Sequence, residues 1–222
     1  MTGGHQFAVA CLDVGAPENL GWAILSESNL LHGSDPREMV SKLAQEIEDQ
    51  PVALGFECPL YVPLRSDEKL LTRQRKGECG VCWSGGPGGG VLPSGIVQTR
   101  WVLAELVRQR PKLRGTTRWD EFRRGECELL IWEAFIASSL KLPSSPSLEA
   151  YPTSLGKPHE RDAIAGVLVA SSRFATHLPP QSDLTEDRGI SLVGMHLLAT
   201  GLASDTGLLN ETCLVVATRK PT

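Results

Sequence analysis

Residues 7–25 read F-A-V-A-C-L-D-V-G-A-P-E-N-L-G-W-A-I-L, an apolar run that ends in Asp13, a Gly/Pro/Asn turn and a second apolar run. That pattern predicts a β-hairpin whose first strand carries a carboxylate at its far end. A further strand is expected near residues 30–32. The period then changes to a helical one in D-P-R-E-M-V-S-K-L-A-Q-E-I-E-D-Q. Asp35 is placed as N-cap and Pro36 at the first helical position, while Met39, Val40, Leu43 and Ile47 share one face. Pro51 stops that helix. Residues 52–58 form the next apolar strand, and Glu57 lies as deep in it as Asp13 does in the first.

From Tyr61 to about Gly95 the pattern dissolves. Seven glycines fall between Gly77 and Gly90; such backbone loses much entropy on ordering, so a long loop is expected here. A helix follows over about 95–110, ended by Pro111. E-L-L-I-W-E-A-F-I reads as a buried strand with Glu133 in its later half, and a Pro/Ser-rich loop, L-P-S-S-P-S-L, comes next. H-E-R-D-A-I-A-G-V-L-V-A-S-S-R-F predicts a helix apolar nearly all round, suited to close packing on a sheet. I-S-L-V-G-M-H-L-L-A-T-G-L fits helix or strand, and T-C-L-V-V-A-T is a final strand. The fold class is therefore α/β: a mixed sheet that opens on an antiparallel hairpin, continues in parallel strands and is flanked by helices. Residues 1–222 read as one domain with a basic, Gly-rich insertion at about 61–125.

Composition narrows the setting. The chain has 222 residues, 41% of them hydrophobic and 22% charged, enough to bury a sizeable core. No apolar run approaches the ~20 residues a membrane span needs. The first residues lack a basic segment followed by an apolar one. No membrane association and a cytoplasmic location are the expectations. The net charge of −4 conceals an asymmetry: residues 61–125 hold 13 Lys/Arg against 6 Asp/Glu, and the remainder 9 against 20. A basic middle on an acidic body suits a nucleic-acid partner or a solvated arginine-rich loop. Of six cysteines, Cys11, Cys58 and Cys213 sit in apolar runs as small buried hydrophobes. Cys79 and Cys82 form a lone C-x-x-C that lacks two further zinc ligands, with Cys127 the only nearby candidate.

Asp13, Glu57, Glu133 and Asp162 each interrupt or open an apolar element. Burying a carboxylate without a partner is costly, so acids in such runs should lie at strand ends, find partners or bind cations. If the strands carrying Asp13 and Glu57 are parallel neighbours, their carboxylates lie about one strand spacing apart, ~4.8 Å. A divalent cation is the simplest way to keep both ionised. His159 precedes Asp162 by three residues, on the same helix side; Glu160 points elsewhere and reads as a complement to the helix dipole.

A hairpin with D-x-G…G-W-A, a helix, a strand with E-C-P, a strand with W-E, and H-x-x-D-A on an Ala-rich helix resembles the RNase H-like superfamily. More narrowly it resembles RuvC-like resolvases and the predicted RNase H-like nucleases related to them. The resemblance covers about residues 7–25, 52–63, 129–135 and 159–170. It implies two-metal phosphodiester hydrolysis with Mg²⁺ or Mn²⁺. The family's metal ligands carry onto Asp13, Glu57 and Asp162, and the remaining ligand onto His159 or Glu133, all five being candidate catalytic residues. In that setting Arg73, Arg75, Lys76 and Arg100 are candidates for phosphate contact, and Trp83 for stacking on a base. Two other readings stand beside it. One is a non-catalytic RNase H-like module that binds nucleic acid or protein. The other, an actin-like nucleotide-binding protein, fits poorly: the hairpin turn G-A-P-E-N carries a Pro and an acid, and the chain is short for two such domains.

Overall fold

The computed structural model describes residues 7–27, 29–78, 82–137, 156–176 and 178–219. Its centre is a seven-stranded mixed sheet. The hairpin forms as expected: β1 (Ala8–Asp13) pairs antiparallel with β2 (Gly21–Ser26), and β2 with β3 (Asn29–Gly33). Helix α1 (Pro36–Asp49) follows, and the Asp35 side chain accepts a hydrogen bond from the Arg37 backbone N–H at 2.8 Å. Its buried face holds Met39, Val40, Leu43, Ala44 and Ile47. The chain then enters β4 (Val52–Phe56), which lies parallel to β1 with Leu12 opposite Phe56.

Beyond β4 comes a short strand, β5 (Tyr61–Pro63), and later helix α2 (Gly86–Gln109). Here the structure departs from expectation. Much of the glycine-rich stretch is helix rather than loop, because α2 starts at Gly86 instead of near Gly95. Pro87 falls in its first turn, where a missing N–H costs nothing. Strand β6 (Gly115–Thr116), short helix α3 (Trp119–Arg123) and long strand β7 (Leu129–Ala137) come next. β7 lies parallel to β4, to β6 along its start and to β9 (Val215–Arg219) along its end. The Ala-rich segment is helix α4 (Pro158–Phe174). The ambiguous I-S-L-V-G-M-H stretch resolves as strand β8 (Gly189–Ser191), paired with β5, followed by helix α5 (Leu192–Thr200). The Pro/Ser-rich loop and Cys79 lie outside the described residues.

The sheet is covered on both faces, so its central strands are apolar throughout. In β1, Ala8, Ala10 and Leu12 pack with α1 and α2, while Val9 and Cys11 pack with α4. Strand parity therefore assigns Asp13 to the α4 face. Cys11, Cys58 and Cys213 are buried, as their apolar settings require. Among the described residues no helix is long and apolar enough to cross a membrane.

Candidate metal centre

Asp13 ends β1, and its cross-strand partner is Gly21. A Cβ at position 21 would lie 2.2–2.4 Å from the backbone of His159 and Glu160. Only glycine lets the first turn of α4 sit this close to β2. That approach delivers His159 and Asp162 to Asp13. His159 Nδ1 lies 2.6 Å from Asp13 Oδ2, and one ligand atom from each of Asp13, His159 and Asp162 falls within 4.8 Å of the others. At that separation the Asp13 carboxylate and the imidazole hold each other in place.

Glu57 follows β4 directly, and its backbone N–H donates to the Leu12 carbonyl at 2.8 Å. The parallel register thus sets it beside Asp13. Asp13 and Asp162 are only 6% and 3% exposed, whereas the His159 side chain is 33% exposed. Burial pushes the Asp13 carboxyl above its ordinary range, against the pull of the His159 contact, and the neighbouring Asp162 charge adds to the rise. Beneath them, burial together with the Glu57, Asp13 and Asp162 charges holds the Cys11 thiol protonated.

Glu133 lies elsewhere. It stands opposite Phe56 in the β4–β7 register, and Phe56, Leu129 and Ile131 all belong to the α1/α2 side of the core. Alternation therefore turns Glu133 to the face opposite Asp13. There the Arg75 guanidinium donates to both of its oxygens, at 2.7 and 2.9 Å, and the Leu60 backbone N–H donates at 2.9 Å. Arg75 also donates to Glu78 at 2.7 Å. Glu133 is thus paired with Arg75, and of His159 and Glu133 only His159 joins Asp13 and Asp162 in the tight group. Arg75 in turn is 1% exposed and not placed to meet a phosphate in solvent. Sequence reasoning missed this lock. A faint signal was available in R-K-G-E, with Arg75 and Glu78 three apart.

Other basic residues of the insertion are drawn to the acidic body: Arg65 to Glu186, Lys76 to Asp187, Arg110 to Glu48 and Arg118 to Glu211. Glu160, set aside on sequence grounds, contacts His32 at 2.8 Å. Among the described residues, no group of three potential metal ligands includes Cys82 or Cys127.

A cavity of about 230 Å³ opens at the strand ends. Asp13, Glu57, His159 and Asp162 border it, with Glu133 and Arg75 on the other flank. Comparison with family models, with curated proteins and with solved structures gives no match. The functional reading therefore rests on geometry and chemistry.

Proposed function

We propose that this chain is a divalent-metal-dependent nuclease of RNase H-like fold that hydrolyses phosphodiester bonds in DNA or RNA. The observation that carries the reading is the convergence of Asp13, His159 and Asp162 within 4.8 Å at the carboxyl end of β1, in an open cavity. Ligand sites in α/β sheets fall at such strand ends. Support for the fold comes from three antiparallel strands followed, across α1, by parallel ones. Two carboxylates and an imidazole fit a divalent ion: the oxygens suit Mg²⁺ or Mn²⁺, and the nitrogen favours a transition metal such as Mn²⁺. The raised Asp13 carboxyl fits as well, since buried acids crowded in this way call for a cation.

Asp13 and Asp162 would hold the ion, and His159 would complete the set. When bound, the cation supplies positive charge to the scissile phosphate and eases deprotonation of the attacking water. Glu57, outside the tight triad but against Asp13, is positioned to accept that proton or to add oxygens to a second site. The His159–Asp13 contact would fix the imidazole in that set. A non-catalytic binder driven by charge is less consistent with an insertion whose cations are so widely paired.

The test is hydrolysis of labelled single strands, branched DNA and RNA–DNA hybrids with Mn²⁺ or Mg²⁺, by wild type, Asp13→Asn and Asp162→Asn. Metal-dependent cleavage that falls roughly 100-fold or more in both variants is expected, given the several kcal/mol such charge stabilisation contributes. Cleavage that survives both substitutions, or that never occurs on any substrate, rejects the proposal.

A further inference from the structure

The same cavity has a second wall that the acids do not use. Besides the acids, Trp83, Pro87, Val91, Phe135 and Ile136 line it. A metal centre needs oxygen and nitrogen donors, not carbon surface. Ligand sites are typically apolar with a few convergent polar groups that fix orientation, which is the division seen here. We propose that this wall is a nucleobase site, so that the substrate is an unpaired nucleotide, in a single strand or turned out of a helix, rather than an intact duplex. The inference rests on the nuclease reading for the phosphate end only.

The wall is built rather than incidental. The Trp83 indole N–H donates to the Arg73 carbonyl at 3.1 Å, so what the ring can still offer the cavity is carbon and π surface. A Cβ on Gly88 would lie 2.3 Å from the Cys82 carbonyl oxygen and 3.3 Å from Trp83 Cα. Glycine at 88 thus lets the first turn of α2 rest on the backbone that carries Trp83. The Trp83 backbone N–H donates to the Glu78 carboxylate at 3.4 Å, and Glu78 is fixed by Arg75. Val91 and Phe135 pack against the main core behind the wall.

Size and chemistry then select the ligand. At about 230 Å³ the cavity falls below the ~300–1,000 Å³ of drug-sized pockets, a size that suits one base rather than a stack. A molecule that presents a phosphodiester to Asp13 and Asp162 and a flat apolar group to Trp83 is a nucleotide whose base has left its stack. In a duplex that exposure costs unpairing and unstacking; a single strand escapes most of the cost. Stacking on an aromatic tolerates any base, so little sequence preference is expected.

The test has two arms. In chelator, titration with the neutral nucleosides adenosine and uridine reads the wall without the metal. Trp83→Ala is expected to bind them roughly 5- to 150-fold more weakly than wild type, and Trp83→Phe to fall between, with unchanged melting temperatures. In Mn²⁺, wild type is expected to cleave a single strand at least about tenfold faster than the same sequence fully paired. Trp83→Ala should erase that preference, mainly through KM. Nucleoside binding equal in Trp83→Ala and wild type overturns the proposal, as does equal cleavage of paired and unpaired substrate. Should no substrate be cleaved, the nuclease reading alone fails, and the chelator arm still decides the base site.

Discussion

Asp13 is ionisable, almost entirely buried and flanked by Glu57 and Asp162, so its charge costs stability unless a cation faces it. Its folded carboxyl is raised above 3.8, which means that protonation favours the fold. That contribution is complete below the unfolded value and is lost as pH rises through the raised folded one. In chelator near neutral pH, Asp13→Asn is therefore expected to melt a few degrees above wild type, and the gap should close on acidification. Thermal melts across that range check it; a variant less stable than wild type at neutral pH contradicts it. Arg75 carries the opposite expectation. Removing one member of a buried pair strands the other, at a cost of about 3–5 kcal/mol. Arg75→Met should lose stability on that scale by urea unfolding, and Arg75→Met with Glu133→Leu should recover part of it. A loss under 1 kcal/mol for the single variant would show the pair to be marginal. The candidate acids were legible because each interrupts an apolar run. The position of Glu133 was legible only in part: its parity relative to Phe56 depends on the β4–β7 register, which no single strand displays.

At the scale of elements, the approach of α4 to the hairpin decides whether there is a site. Gly21 permits it from the sheet side and Gly166 from the helix side, where a Cβ would come within 2.9 Å of Cys11 Sγ. Gly21→Ala would press on backbone that cannot rotate away, at a cost of about 1–3 kcal/mol or more. The expected result is lower stability together with at least about tenfold weaker Mn²⁺ binding, because His159 and Asp162 move off Asp13. Unchanged Mn²⁺ affinity in a folded Gly21→Ala variant would break the link between helix docking and the site. Strands and helices with strong periodicity were readable in the sequence: β1, β2, β4, β7, α1 and α4. The start of α2 was not, since G-G-P-G-G-G has no apolar period and poor intrinsic helix propensity. Its helical state follows from tertiary contact, as at Gly88 against Cys82 and at Gly95 against Cys58.

For the whole molecule, the charge asymmetry along the sequence is in part met internally. Arg65, Arg75, Arg110 and Arg118 reach acids far away in the chain, so cations of the insertion meet the acidic body instead of gathering for a polyanion. Chain order shows the imbalance but not the pairing of these arginines. Binding of random duplex DNA in chelator should accordingly be weak, with a salt dependence that reflects about three phosphate contacts or fewer, a log–log slope no steeper than about −3. A slope of about −6 would show that a cationic surface persists. The most direct measurement of the central claim is calorimetric titration of Mn²⁺ into wild type, Asp13→Asn and Asp162→Asn. Saturable binding by wild type that either substitution abolishes is the predicted result. Equal binding by all three proteins, or heat from none of them, would contradict a metal centre built on Asp13, His159 and Asp162.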